Sequence, residues 1–418
     1  MANNFSVSLQ WLLIAINLVK MLVIYSIGRK IIFSHVIIMT MTTDFFSPVF
    51  TPYSACLFTQ TEGKDKFAEK WRRADENAMK WKTFFRRMHA LSLKRMFRLI
   101  RAVSRESHRP RLLILIDMLW CVVRYGIGYL DYKVFGFAFI HGEARKTFMT
   151  MDDNLSLVRA VNDKAYTYLF DQKCAFNERF HRFLGREWLD LRTADEEAFA
   201  AFLKGREDFF AKEVDSFGGQ GVSHILVEEY PDVNALYHLL RGRGQYLVEE
   251  TIRQHPEMER LHPGSINTLR LVTLLAHEEP YVMYALIRVG GKGQCIDNIC
   301  SGGMYAPVDE NGMVFHDAFC ELEERFYACH MESGVKFLGF QVPCFHEAVE
   351  LVKQAALVVP QVGYVGWDVA IGADEPLLIE GNVIPGYDMC QNYCHLKKKG
   401  EGILPRFEKV MGMAFFHH

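Results

Sequence analysis

The stretch VGYVGWDVAIGADEPLLIEGNVIPG, residues 362–386, places two apolar runs on either side of Gly372-Ala373-Asp374-Glu375-Pro376. Such runs around a Gly- and Pro-bearing loop predict an antiparallel hairpin. A loop symmetric about Asp374 sets Asp368 directly opposite Glu380, their Cβ atoms about 5 Å apart on one face. Asn382 lies on that face too, while Trp367, Val369 and Ile371 point the other way. Two carboxylates so placed repel unless a cation lies between them. A set made only of oxygens selects Mg²⁺, which keeps waters and bridges phosphates. The alternative is a strand pair with solvated acids, for which Asn is a poor strand residue.

Other segments carry charge where apolar residues are expected. In FFAKEVDSFGGQGV (209–222), Lys212 ends an apolar run that leads into Gly218, Gly219 and Gly221. Glycines let successive N–H groups turn toward a phosphate, and a nearby lysine adds a point charge. Alone, such a loop is more often an ordinary turn. In QYLVEETIRQH (245–255), Glu249 and Glu250 end a strand-like run, and the backbone from Val248 to Ile252 could meet an adenine edge. Arg270 in SINTLRLVTL and Arg288 in YALIRVGG each interrupt an apolar strand. A buried guanidinium must be paired, with a polyphosphate, an acyl oxyanion or an internal acid.

Strand-like runs fall at 208–214, 224–228, 245–251, 267–275, 280–289, 364–371 and 377–382, with helical patterns at 194–204, 233–241 and 344–358. Strands and helices that mix without strict alternation predict an α+β fold. Upstream, residues 64–111 hold 16 Lys/Arg against 5 Asp/Glu, an excess of +11 that leaves −13 for the rest of a chain of net charge −2. The whole molecule is therefore no nucleic-acid binder. Helically spaced apolar residues within the basic segment predict amphipathic helices, either a solvated face or a contact with an anionic membrane surface. Residues 112–132 read as an apolar helix broken by Arg124 and Asp131 and buried in the protein rather than in lipid. Residues 1–60 open on an impure apolar run, Ser6 to Ile27, with Lys20 near its middle. A membrane anchor, an interfacial segment and a start placed too early all fit it. The ten cysteines form no tight framework, and reduced thiols of a cytoplasmic protein are expected. Cys390, Cys394 and His395 lack the second ligand pair of a zinc finger.

Taken in order, a Lys before a Gly-rich loop, an acidic hinge, Arg-bearing strands and an Asp followed by Glu-x-Asn resemble the ATP-grasp superfamily. NDK at 162–164, SINTLR, the Asp297-Asn298 to Ser301-Gly302-Gly303 run and the IEGN…PG ending resemble its sugar-transfer-associated family, related to α-L-glutamate ligases. The resemblance covers roughly 131–407 and implies an ATP-grasp fold over 149–410, with 205–252 as an ATP lid, after a basic helical region at 61–148. It implies that Lys164 and Lys212 contact ATP under the Gly218–Gly221 loop, with Glu249, Glu250 and Ile252 at the adenine hinge. Asp368, Glu380 and Asn382 would hold Mg²⁺, and Arg288 and Arg270 would act on the transferred phosphoryl group. The activity implied is ATP-dependent ligation of a carboxylate to an amine through an acyl phosphate, in cell-surface polysaccharide or peptide modification. A kinase-like phosphotransferase and a membrane-associated protein with a spent nucleotide site are the alternatives. Many such ligases carry an amino-terminal Rossmann-like domain for the acceptor; here basic helices without a strand pattern take that place, so the acceptor stays open.

Overall fold

The computed structural model describes residues 93–216, 221–293, 299 and 302–413. The apolar segment 1–60, residues 64–92 of the basic segment, and Gly218, Gly219, Asp297, Asn298 and Ser301 lie outside them. The described chain begins with helices α1 (Leu93–Ser107), α2 (Arg111–Tyr125), α3 (Tyr129–Val134), α4 (Met151–Val161), α5 (Tyr168–Asp171) and α6 (Lys173–Arg179). There follow β1 (Trp188–Asp190), α7 (Glu196–Leu203), β2 (Asp208–Lys212), β3 (Val222–Leu226), α8 (Val233–Gly242) and β4 (Leu247–Glu250). Next are α9 (Pro256–Leu261), β5 (Thr268–Ala276), β6 (Glu279–Val289), β7 (Met304–Val308), β8 (Ala318–Cys320) and β9 (Arg325–Tyr327). The last elements are α10 (Phe345–Ala356), β10 (Tyr364–Ile371), β11 (Pro376–Asn382) and α11 (Leu404–Met411). The fold is α+β, as expected.

Two antiparallel sheets organise the molecule: β1-β4-β2-β3 and β11-β10-β5-β6-β7-β8-β9. In the smaller one, Phe209, Ala211, Ile225 and Val248 bury against Phe199, Phe202, Leu203, Leu236 and Leu240 of α7 and α8. Strand alternation therefore turns Phe210, Lys212, Leu247 and Glu249 to the opposite face. Asp195 and Asp232 cap α7 and α8, accepting from Ala198 and Ala235 N–H at 2.8 and 2.9 Å.

The larger sheet is covered on both sides. Leu269, Leu271, Ile287, Trp367 and Val369 pack toward α10 and the Phe170, Phe176 and Phe180 rings. On the other face, Val272, Leu274 and Tyr364 meet Ile100, Ile114, Met118 and Phe407 of the amino-terminal helices and α11. Arg270 and Asp368 lie on that same face, one pleat further along. The helical cover ends there, and the charged part of the sheet begins.

Two expectations need correction. Residues 112–132 are two helices, because Gly126 takes a left-handed φ of 66° and Ile127 N–H bonds Cys121 O at 3.2 Å, closing α2. Nor is α2 buried all round, since Leu112 and Val123 are 66% and 52% exposed. In the hairpin, symmetry about Asp374 holds for Asp368 with Glu380 and Gly366 with Asn382. Nearer the loop the pairs become Val369 with Leu378 and Ile371 with Pro376. Ile379 is the extra residue of a bulge, which lets both registers coexist.

Gly381 faces Trp367 across this hairpin. A Cβ there would come within 2.8 Å of Phe170 Cδ1 and 3.2 Å of Phe176 Cε2. Those rings belong to a cluster in which Phe180 and Trp367 centroids lie 5.5 Å apart, so they have little room to yield. Gly381→Ala should therefore cost about 1–3 kcal/mol of unfolding free energy, measured by denaturant titration. An unchanged midpoint and slope would show that the aromatic cluster is looser than its packing indicates.

Candidate active site

Across four neighbouring strands, Glu380 of β11, Asp368 of β10, Arg270 of β5 and Leu286 of β6 form one lateral row. Arg288 and Asn382 stand diagonally beside it. Arg270 grips Asp368 through both carboxylate oxygens, with Nη2 donating to Oδ2 at 2.8 Å, and Arg288 Nη1 donates to Oδ2 at 2.9 Å. The cations that sequence reasoning required are thus present as side chains, and the partner of both arginines is an internal acid. Burial alone would raise the Asp368 pKa, but Arg270 and then Arg288 overcome it and hold the carboxyl well below the usual range. Glu380 moves the other way: enclosure by protein first, and then the Asp368 charge, push it up. The residue as a whole is nevertheless exposed. Asn382 Nδ2 leans toward Glu380 Oε1 at 3.4 Å.

The second half comes from the smaller sheet. Glu249 is 2% exposed, and its Oε1 accepts from Arg186 Nη2 at 2.8 Å and Asn177 Nδ2 at 2.7 Å. Lys212 Nζ pairs with the other oxygen. Arg186 also donates from Nη1 to Leu378 O of β11 at 2.6 Å, so one guanidinium joins the two sheets. Although burial opposes it, Arg186 and Lys212 hold the Glu249 carboxyl well below its ordinary range. The carboxylate therefore serves the framework of the cleft, whereas Glu250 accepts from Glu187 N–H at 3.1 Å nearer the surface. Ile252 follows β4 and is half-buried.

Lys173, Arg186 and Asn177 escaped the sequence reading. Lys173 Nζ donates to Glu213 O at 3.0 Å and Ser216 Oγ at 3.3 Å, tying down the start of the glycine loop. Burial lowers its pKa, Glu380 and Glu249 oppose that, and Lys212 adds to it. The far side of the loop is closed by Glu213 N–H to Gly221 O at 3.0 Å, with Gly221 at φ +66°. A Cβ at Gly221 would meet the Glu213 side chain at 2.5 Å, so glycine is required twice over. Arg186, between Gly185 and Glu187 and two residues before Trp188-Leu189, had the one readable signal: a charge just ahead of an apolar pair.

The motifs divide their labour. Asn162 is buried and holds the base of the hairpin, donating to Tyr364 O and Val383 O at 2.9 Å and accepting from Tyr364 N–H at 2.8 Å. Lys164, two residues on, is exposed. Asn267 donates to Met258 O and His262 O at 2.8 and 2.9 Å, fixing α9 beside β5. Among the described residues, no three His, Cys, Asp or Glu side chains gather to hold a metal. Asp368, Glu380 and Asn382 do fit Mg²⁺ by donor chemistry, since that ion takes one or two carboxylates and completes its shell with phosphate and water. The described cysteines are free, and His395, kept neutral by burial with its pKa lowered to about 3, shares a hydrogen bond with Asp317 O.

Residues 231–411 match the model of the family described as sugar-transfer associated ATP-grasp. That span contains Arg270, Arg288, Asp368, Glu380 and Asn382, together with Glu249 and Glu250. No curated protein matches the chain. Solved structures similar to it include the ATP-grasp ligase PsnB complexed with minimal precursor, 16% identical over 62% of this chain and 69% of that one, TM-score 0.36. D-cycloserine synthetase DcsG is 11% identical over 60% and 75%, TM-score 0.36. VanG D-Ala:D-Ser ligase from Enterococcus faecalis is 14% identical over 61% and 63%, TM-score 0.35. Likenesses this slight carry no argument about chemistry.

Glu249 offers a test of the framework. A depressed acid contributes stability above its unfolded pKa and loses it as pH falls toward the folded value. Glu249→Gln should cost about 3–5 kcal/mol at neutral pH by leaving Arg186 without its charge partner. The gap between wild type and variant should narrow as pH drops below the ordinary value of 4.5. Denaturant titrations at several pH values measure it, and a gap constant down to about pH 3 would contradict the ionised pair.

Proposed function

We propose that this chain, matched over residues 231–411 by the sugar-transfer associated ATP-grasp family, is an ATP-dependent carboxylate–amine ligase. One observation carries the reading: the Glu380-Asp368-Arg270 row with Arg288 lies on one sheet and Lys212 with Glu249 on the other, and Arg186 joins the two through Glu249 and Leu378 O. Acidic oxygens on one wall and amines on both are what a polyphosphate with its divalent cation requires.

In the first step a substrate carboxylate oxygen attacks the γ-phosphorus of ATP. The bond from that phosphorus to the β-bridging oxygen breaks, and ADP departs. Lys212, at the foot of the Gly221 loop, and Arg288, which holds Asp368 through one oxygen, are placed to disperse charge on the transferred group. Arg270 grips Asp368 through two bonds and keeps that carboxylate ionised and oriented. Asp368, Glu380 and Asn382 would hold Mg²⁺, which would supply neutralising charge to the phosphates. In the second step the amine nitrogen attacks the acyl carbon, the carbon–oxygen bond to phosphate breaks, and inorganic phosphate leaves as the nitrogen gives up a proton. Lys164, Glu250 and Ile252 are assigned to the nucleotide's remaining contacts. The family's description motivates a carboxylate or amine from cell-surface polysaccharide or peptide metabolism, and a cytoplasmic site suits both ATP and the free thiols.

Two measurements test this. Mg-ATP should raise the melting temperature, since a ligand that binds only the native state adds about 2.7 kcal/mol at a hundredfold excess over Kd. Lys212→Ala should fold, because Glu249 keeps Arg186 and Asn177, yet lose the Mg-ATP shift. Arg288→Ala should retain the shift and lose about 10²–10³ in turnover. Turnover is read as acceptor-dependent release of ADP and phosphate with amide formation. Wild-type turnover in both variants would sink the assignment, and a phosphorylated acceptor without amide would convert it to a kinase.

A further inference from the structure

Helix α2 is built inside out for a helix on a water-facing surface. Its mid-helix charge, Asp117, turns inward, where Arg145 donates to Oδ1 and Oδ2 at 2.8 and 2.7 Å and Tyr132 OH donates at 2.6 Å. Arg145 is itself 5% exposed and also bonds Ile140 O at 2.6 Å, so this cluster fixes the rotation of α2 about its axis. Ile114, Met118 and Cys121 share the inward face. At 100° per residue, Leu112, Leu113, Ile116, Leu119, Trp120 and Val123 then fall on one outward arc. Leu112, Leu113 and Val123 are 66, 50 and 52% exposed, and the arc contains no charge.

The neighbouring helix supplies the complement. Met96, Ile100 and Val103 of α1 enter the same core as Ile114 and Met118 of α2, so each helix turns the face opposite these residues outward. On that outer side α1 exposes Lys94, Arg98, Arg101 and Arg105, which helical spacing gathers into one stripe, and Arg111 stands at the start of α2. An uncharged apolar stripe beside a basic one matches a bilayer surface, with acyl chains beneath anionic headgroups. Among the described residues no helix is long and apolar enough to cross a membrane, so the contact this face supports is peripheral.

We propose that the outer face of the α1–α2 hairpin lies on an anionic lipid bilayer, α2 seating its apolar stripe among the headgroups while α1 pairs with their charges. The proposal does not depend on the ligase reading, because its measurement needs no nucleotide. Purified full-length protein is mixed with phosphatidylcholine vesicles with and without phosphatidylglycerol. It should sediment with the anionic vesicles, be released by salt, and show slower amide exchange over 111–125 only in their presence. The triple variant Leu112→Gln, Leu113→Gln, Val123→Gln changes exposed positions alone, and should lower vesicle partitioning by about tenfold or more. Arg98→Glu with Arg101→Glu and Arg105→Glu should abolish the preference for anionic lipid. Equal binding to neutral vesicles, unchanged exchange over 111–125, or a triple variant that alters oligomeric state but not lipid binding would each overturn the proposal. Should the triple variant fail to fold, the exchange measurement and the charge reversals decide it.

Discussion

Burying the Glu249 carboxylate obliges the protein to bring cations to it from outside its own strand. Lys212 comes from the adjacent strand, but Arg186 comes from the linker before β1 and holds the larger sheet by Leu378 O at the same time. The relative placement of the two sheets therefore rests on a charge that cannot be left alone. A purely apolar contact would tolerate sliding. A guanidinium with hydrogen bonds to fixed acceptors on each side does not.

The larger sheet solves a similar problem differently. Two arginines on adjacent strands would repel each other, and Asp368 between them makes their proximity favourable. Arg270 and Arg288 hold its pKa down against burial, whereas at Glu380 burial and the Asp368 charge outweigh the same two arginines and push the pKa up. The two neighbouring carboxyls are thus shifted in opposite directions, because the arginines act more strongly on Asp368. The apolar contacts with the helices at Val272 and Tyr364 give way one pleat along to this row, where Asp368 and Arg270 are themselves buried.

Strand positions and the Asp368–Glu380 pairing were legible in the sequence because period-two alternation and a short loop fix them locally. The bulge at Ile379 was not, since nothing in an apolar run marks which residue is extra. Arg270 and Arg288 were visible as charges inside apolar strands, although their shared partner lay far away in sequence. Lys173 and Asn177 were invisible for a related reason: on a short polar helix, neither differs from a solvated side chain until tertiary contacts bury it. Asn162 and Asn267 were read as parts of motifs, and their work is to satisfy backbone groups at element ends. The outward apolar arc of α2 was missed because composition reports how apolar a helix is, not which way it turns.

Ninety-eight residues separate Arg270 from Asp368. On a ribosome that adds about 5–20 residues per second, the arginine exists for on the order of 5–20 s before its counter-ion is made. Strand β10 must then be inserted between β5, long finished, and β11, which emerges just behind it. One edge of the sheet is therefore the last part of it to be synthesised. Gln391, bonded to Met149 N–H at 2.8 Å, ties this late segment to the helical layer made first. A nascent chain holds Arg270 and Arg288 before it holds Asp368, so two arginines wait on an unfinished sheet for the strand that carries their shared counter-ion.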